Sequence, residues 1–113
     1  MSQNIKSSSD APLIQPPSDL PLESLTVTDS ELALTILHGK KKMILSLLLK
    51  KAMTIQEIKR DTGLNPGTIK RHLIDLMSNR LIFVEREELS DYNIRMKYYR
   101  AKAKEIRIDI TLS

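Results

Sequence analysis

The 113-residue chain contains no cysteine, which excludes disulfide bonds, thiolate metal sites and cysteine nucleophiles. Its three glycines do not fall in the spacing of a phosphate-binding loop or a dinucleotide-binding fingerprint. Two histidines are too few for a histidine-based metal cluster within one chain. The clustered carboxylates Glu85, Glu87 and Glu88 surround Arg86, as on a solvated surface. We therefore expect no catalytic site, no cofactor and no bound metal.

Aromatic residues and long apolar runs are also scarce. Three tyrosines and one phenylalanine leave the core to be built mainly from leucine and isoleucine. The longest apolar run, residues 43–49, is interrupted by Ser46 and is shorter than the roughly 20 residues that a membrane span requires. The N-terminus lacks the apolar stretch of a signal peptide. These features predict a cytoplasmic protein that makes no membrane contact.

Charge and proline divide the chain unequally. Residues 1–23 hold four of the five prolines and many serines, a composition that predicts a disordered or extended tail. That tail has one lysine and three acidic residues and so a net charge of −2. Because the whole chain has a net charge of +4, residues 24–113 carry +6. A basic domain favours an anionic partner, either nucleic acid or an acidic membrane surface, although a basic pI near 9.4 also serves solubility.

The first two helices are indicated by capping chemistry and apolar periodicity. A T-x-x-E pattern at Thr28 and Glu31 predicts that the first helix begins near Thr28, and Gly39 is expected to end it. A largely apolar second helix is expected over residues 40–51. Its first turn contains three consecutive lysines, which oppose the helix macrodipole. Lys41 is therefore a candidate phosphate contact, beside the alternative of an ordinary solvated helix end.

A helix-turn-helix follows. A second T-x-x-E pattern opens the third helix at Thr54, and Gly63 is the expected left-handed C-cap. Asn65 and Pro66 are typical of an N-cap and of the first helical position, so a fourth helix is expected over about residues 66–79. The apolar stripe of this helix consists of Ile69, Leu73 and Leu76. Its other side is basic, as in a recognition helix.

The pattern changes to strands after residue 79. Residues 81–89 and 94–101 predict a β-hairpin with its turn at residues 90–93, which would form a wing. Residues 104–113 alternate again and predict a third strand, or else a segment of a dimer interface. The predicted fold class is mainly α with a β-wing (α+β), a winged helix-turn-helix in a single domain over residues 24–113.

The candidate DNA contacts lie first of all in the opening turn and a half of the fourth helix: Gly67, Thr68, Lys70 and Arg71. Arg71 is the candidate base contact, because its planar fork can pair with guanine O6 and N7. Further phosphate candidates are Arg80, Arg86, Arg95 and Lys97. His72 is expected to be a structural histidine that bonds a backbone carbonyl, with base reading as the alternative.

The run TIQEIKRDTGLNPGTIKRHLIDLMSNRLI, together with KYYR downstream, resembles winged helix-turn-helix regulators of the ArsR type, including small archaeal ones. The matching positions are Glu57-Ile58, Gly63-Leu64, Thr68, His72-Leu73, Leu76, Leu81-Ile82 and residues 97–100, and the likeness covers residues 29–101. The resemblance implies a homodimeric transcription regulator that binds double-stranded DNA in the nucleoid.

This sequence departs from the family pattern in three places. The metal-sensing cysteines are missing from residues 54–60, which argues against a thiolate metal sensor. Arg80 stands where a glycine is usual, so the exit from the recognition helix is expected to need either strain or a different backbone there. The C-terminal segment has the pattern of a strand where the family often has a dimerising helix.

The sequence therefore predicts a sequence-specific regulator whose fourth helix enters the DNA major groove. The alternative is a winged helix used for protein contacts, as a subunit of a transcription or replication assembly. A third and weaker interpretation is an RNA-binding wing.

Overall fold

The computed structural model describes residues 20–112, and within that range the chain forms four helices and four strands. In chain order these are β1 (Leu22–Val27), α1 (Ser30–Leu37), α2 (Gly39–Lys50), α3 (Ile55–Thr62), α4 (Pro66–Ser78), β2 (Ile82–Leu89), β3 (Arg95–Ala101) and β4 (Ala103–Ile108). Most of the predicted tail lies outside the described residues, so the division at residue 24 stays a prediction. Strand β1 already begins at Leu22.

The start of α1 differs from the prediction. Asp29, and not Thr28, is the N-cap residue: its carboxylate accepts hydrogen bonds from the backbone N–H groups of Glu31 (2.9 Å) and Leu32 (3.3 Å). The predicted pairing of Thr28 with Glu31 is therefore wrong. Aspartate is at least as good an N-cap as threonine, and β1 holds the chain extended up to Val27. Helix α1 ends at Leu37.

The core is formed by aliphatic side chains from the helices and the strand ends. The largest fully buried side chains are those of Ile44, Leu48, Met53, Ile58, Ile69, Leu73, Leu76, Leu81 and Ile82. The predicted apolar stripe of α4 is thus confirmed as core. Each such side chain contributes on the order of 1.5–3 kcal/mol through removal of apolar surface from water. This packing fixes the orientation of α4 and leaves its opposite face exposed.

The wing is the antiparallel hairpin β2–β3, paired from Ile82 with Ala101 to Leu89 with Arg95. Its turn is closed by a hydrogen bond from the Ser90 N–H to the Ile94 carbonyl (2.9 Å), which confirms the predicted hairpin. Met53 pairs with Tyr99 of β3 through two backbone hydrogen bonds of 2.8 and 2.9 Å. The segment before α3 therefore belongs to the base of the wing.

A second sheet joins the two ends of the described chain. Strands β1 and β4 pair in parallel, from Leu22 with Ala103 to Val27 with Ile108, and we call this pair the terminal sheet. The predicted C-terminal strand is present, but it is shorter than residues 104–113. Its partner strand was not predicted. No helix within residues 20–112 has the length and apolar character needed to cross a membrane.

Candidate nucleic-acid interface

The start of α3 is determined by the predicted capping box. The Thr54 hydroxyl accepts a hydrogen bond from the Glu57 backbone N–H (3.2 Å), and the Glu57 carboxylate accepts one from the Thr54 N–H (2.9 Å). Two backbone donors at the helix end are thereby satisfied, and the prediction is confirmed. The Thr54 side chain is buried, so this cap is integrated into the core packing.

The turn between α3 and α4 is equally specific. Gly63 has a φ of 75°, in the left-handed region, and its N–H donates to the Lys59 carbonyl (2.7 Å). Asn65 Oδ1 then accepts from the Gly67 N–H (2.7 Å), with Pro66 at the first helical position. A Cβ at position 67 would lie 3.1 Å from Asn65 Oδ1. Gly67 therefore makes room for the cap, and its N–H is used by the cap.

The outer face of α4 presents two cationic side chains to solvent. Lys70 and Arg71 are exposed, while Ile69 between Thr68 and Lys70 is fully buried. Thr68 itself is half-buried. Across residues 20–112, neither Lys70 nor Arg71 is part of an ion pair. The positive charge of this face is thus available to an external anion.

A groove of about 430 Å³ separates α4 from the wing. It is lined by Lys70 from α4, by Arg95 and Lys97 from β3, and by apolar side chains that include Ile55 and Tyr99. Burial raises the pKa of the Tyr99 hydroxyl, and the nearby charge of Glu87 raises it further, so this tyrosine stays neutral. The groove brings together three of the predicted cationic contacts.

Residues 38–83, which run from the residue before α2 to the start of the wing, match the model of the bacterial regulatory protein arsR family. The match covers the helix-turn-helix whose geometry is given above. The match, over somewhat less than half of the chain, supports an ArsR-like winged helix-turn-helix regulator. Such regulators bind double-stranded DNA and regulate transcription, and they are not enzymes. No curated protein matches the sequence.

Lys41 of this regulator does not offer a free charge. Its ammonium group lies 3.0 Å from Asp75 Oδ2 of α4, and its side chain is only 18% exposed. The pair links the first turn of α2 to the recognition helix. Sequence reasoning missed the partner, because the spacing of the two residues along the chain gives no sign of their contact.

The cations of the wing are largely compensated by carboxylates. Arg86 bonds Glu88 (2.7 Å) and Glu85 (2.8 Å), and its guanidinium lies 3.8 Å from the centre of the Tyr98 ring. The hydrogen bond from Arg86 lowers the pKa of the Glu88 carboxyl below its usual range. Arg86 pairs across from Tyr98, so it lies on the face of the hairpin opposite to the groove.

Arg95 is the second compensated cation. It bonds Glu87 at 3.0 Å, whereas Lys97, directly across from Glu87 in the hairpin, has no ion pair within the described part of the chain. Of the two wing cations that line the groove, Lys97 is therefore the one whose charge is not compensated by an ion pair within the described residues.

Arg80 follows α4 in a left-handed backbone conformation, with a φ of 61°. The Arg80 N–H donates to the Met77 carbonyl, and the Leu81 N–H donates to the Leu76 carbonyl, both at 3.0 Å. These two bonds form a Schellman motif, whose left-handed position usually holds glycine. The strain predicted from the missing glycine is thus present, and the exposed side chain lies at the C-terminal end of α4.

One exposed residue of α4 was not predicted as a contact. Ile74 is 59% exposed and follows Lys70 by four positions, on the same face of the helix. Its position outside the buried stripe of Ile69, Leu73 and Leu76 was the signal that could have identified it. Within residues 20–112, no three His, Asp or Glu side chains are arranged to hold a metal ion.

Proposed function

We propose that this regulator binds specific sequences of double-stranded DNA as a homodimer, with the N-terminal half of α4 in the major groove. The observation that carries the proposal is the exposed, unpaired state of Lys70 and Arg71 on the outer face of α4. In a helix-turn-helix protein, residues at these positions of the second helix reach base edges.

Each candidate contact receives a role from its surroundings. Arg71 pairs with a guanine through its two-pronged guanidinium group, and Thr68 touches a phosphate or a thymine methyl group at the helix start. Lys70 and Lys97 line the same groove from opposite sides, a placement that suits a phosphate strand running between α4 and the wing. Ile74 adds an apolar contact for a thymine methyl group.

The remaining predicted contacts receive weaker roles. Arg80 is placed to reach a phosphate near the C-terminal end of α4. Arg86 and Arg95 contribute less, because glutamates already bond both guanidinium groups. Lys41 acts indirectly, through the position of α4. A DNA partner also places the regulator in the nucleoid.

The first test is a fluorescence anisotropy titration of a random 30-base-pair duplex at several salt concentrations. The logarithm of the binding constant is expected to fall linearly with the logarithm of salt, by roughly 0.9 for each neutralised phosphate. Lys70→Ala should lower that slope by about 1. Lys104→Ala, which removes a charge from the terminal sheet, is the matched control and should leave the slope unchanged.

Specificity is tested on a sequence selected from a random DNA pool. Arg71→Ala should relax the preference at one base pair by roughly 1–3 kcal/mol. Arg71→Lys keeps the charge but loses the two-pronged geometry, so it should retain the salt slope and lose the same preference. Absence of binding to random duplex at low salt would contradict the proposal and favour a protein-binding winged helix. Preference for duplex RNA over DNA would also contradict it.

A further inference from the structure

The outer edge of β4 has unpaired backbone groups. Asp109 donates its N–H to the Val27 carbonyl (3.0 Å), so at the C-terminal end of this strand the odd-numbered residues direct their backbone groups at β1. Backbone groups of neighbouring residues in a strand point to opposite edges. Ile106, Ile108 and Ile110 therefore direct theirs away from β1. The described chain pairs no strand with that edge. Such an edge is a template for another strand.

The same segment also exposes apolar side chains at alternate positions. Strand β1 ends at Val27, which pairs with Ile108, so residues 109–112 extend beyond the end of β1. Exposure reaches 37% at Ile108, 36% at Ile110 and 91% at Leu112. An unpaired edge with an apolar face can bury both its backbone groups and its side chains against a second strand.

We propose that β4 pairs antiparallel with β4 of a second copy of this chain, about a two-fold axis at Ile108. The two terminal sheets then form one four-stranded sheet in the order β1–β4–β4–β1. This inference rests on the homodimer of the proposed function and assigns its interface. A two-fold axis requires a self-complementary pairing, in which each contact occurs twice.

The sequence of β4 is self-complementary about Ile108. In this register Arg107 lies across from the partner's Asp109, and Asp109 lies across from the partner's Arg107. Opposite charges facing each other stabilise an antiparallel pair, and the close, non-hydrogen-bonded sites bring their side chains together. Ile106 lies across from the partner's Ile110. The hydrogen bonds of the new pair form at Ile106, Ile108 and Ile110, whose backbone groups are free.

Neighbouring registers are less favourable. An axis at Arg107 or at Asp109 places like charges directly opposite each other, which destabilises strand pairing. An axis at Ile106 places Ile108 across from the partner's Lys104, and it leaves Asp109 across from the partner's Ala103, without a cation. An axis at Ile110 leaves Asp109 across from the partner's Thr111, without a cation. A two-fold axis at Ile108 therefore gives the most favourable arrangement of charges across the two strands.

The backbone part of the interface is tested by proline substitutions in the full chain. Ile110→Pro removes an N–H that points to the free edge, whereas Thr111→Pro removes one that points to the other side. Light scattering after size exclusion should give twice the chain mass of 12.9 kDa for the unchanged protein and for Thr111→Pro. Ile110→Pro should give the mass of a single chain that still unfolds in one cooperative thermal transition, although at a lower temperature, because the stabilisation by the dimer is lost.

The register is tested by disulfide trapping, which is simple because the chain has no cysteine of its own. At a hydrogen-bonded antiparallel site the Cα atoms lie about 5.5 Å apart, within the range that a disulfide spans. Ile108→Cys should therefore cross-link two copies under mild oxidation. Thr111→Cys, whose copies would lie six positions out of register, should not.

The charge pairs are tested by a swap. Asp109→Arg places arginine across from arginine twice, and it should raise the dimer dissociation constant about tenfold or more. The double variant Arg107→Asp with Asp109→Arg restores opposite charges and should recover the dimer. Asp91→Arg, the same change at the exposed wing tip, should have no effect on the dissociation constant.

The outcomes separate this interface from the proposed DNA binding. A single-chain mass for the unchanged protein at all concentrations overturns the interface, as does a dimer that Ile110→Pro leaves intact or that Ile108→Cys does not trap. If such a protein still binds random duplex, the proposed function stands without this interface. If the dimer is trapped but binds no DNA, the interface stands and the proposed function is contradicted.

Discussion

Arg80 adopts a backbone conformation that is unfavourable for a residue with a side chain. The Schellman motif at the end of α4 requires a left-handed residue, and Arg80 adopts a φ of 61° to provide it. A side chain with a Cβ pays roughly 1 kcal/mol or more in that region relative to glycine. Arg80 therefore costs stability at this position, and its exposure is consistent with the phosphate contact proposed at the end of α4.

Arg80→Gly is expected to raise the free energy of unfolding by about 0.5–1 kcal/mol, because it removes the left-handed strain. It should at the same time weaken binding to random duplex. Urea unfolding and anisotropy measure the two effects. Asn93→Gly, at a second position with a φ of 61°, is the control, and its stability gain should be smaller since asparagine tolerates this conformation. Destabilisation by Arg80→Gly would contradict the strain argument.

His72 lies where α4 meets the lysines of α2. Its Nδ1 is buried and has no hydrogen-bond partner within the described residues, so the predicted bond to a carbonyl is not made by this nitrogen. Burial lowers the pKa of His72 below 6.5, and the charges of Lys41 and Arg71 lower it further. Asp75 raises the pKa and Lys40 lowers it, both with smaller effect. The folded protein therefore favours the neutral imidazole.

Stability is expected to fall as the pH decreases below 6.5. Between the lowered folded pKa and 6.5, the unfolded chain binds a proton at His72 and the folded chain does not, so the free energy of unfolding rises with pH over that interval. His72→Gln should reduce this slope, as measured by urea unfolding at several pH values. An NMR titration should place the imidazole pKa below 6.5, and a value above 6.5 would contradict the assignment.

At the scale of the element, Lys41 and Asp75 connect α2 to the recognition helix. The pair is partly exposed, since Asp75 is 50% accessible, so its contribution to stability is modest. Lys41→Ala should lower the free energy of unfolding by roughly 0.5 kcal/mol and raise the pKa of His72. Lys42→Ala, an exposed neighbour with no ion pair in residues 20–112, should do neither. Equal effects of the two changes would contradict the positioning role of Lys41.

Two similar capping patterns show what sequence can predict about an element. Thr54 and Glu57 form the predicted box because no better cap lies next to them, and the buried Thr54 is fixed by packing. Thr28 and Glu31 have the same spacing, yet Asp29 takes the cap. The difference depends on where β1 ends, and that depends on a partner strand at the other end of the chain. Local capping patterns therefore predicted the helix-turn-helix correctly. They did not predict the start of α1, which depends on a contact with a strand that is distant in the sequence.

The candidate site shows the same division. Exposure of Lys70 and Arg71 follows from the periodicity of α4, because the buried stripe leaves them outside. The pairing of Lys41 with Asp75 and of Arg95 with Glu87 does not follow from periodicity. The first pair depends on the crossing of α2 with α4, and the second depends on the hairpin register. Sequence thus located the cations but not which of their charges are free.

At the scale of the whole molecule, the wing and the terminal sheet are continuous. Strand β3 runs into β4 through Lys102, whose N–H donates to the Leu81 carbonyl (2.9 Å) and whose carbonyl accepts from the Leu22 N–H (2.7 Å). The Leu81 N–H also donates one of the two hydrogen bonds of the Schellman motif that ends α4. Only a few bonded residues therefore separate the recognition helix from the strand proposed as the dimer interface. A two-fold pairing of β4 would fix the spacing of two recognition helices.

The last prediction joins the interface to DNA recognition. A two-fold dimer should select a DNA site with two inverted half-sites, separated by about 10–10.5 base pairs or a multiple of that spacing. Ile110→Pro should bind a single half-site as well as Thr111→Pro does, since α4 is unchanged. On the full site it should bind more weakly and with about half the salt slope, because one chain neutralises half of the phosphates. Equal affinity of the two proline variants for the full site would show that pairing of β4 plays no part in DNA binding.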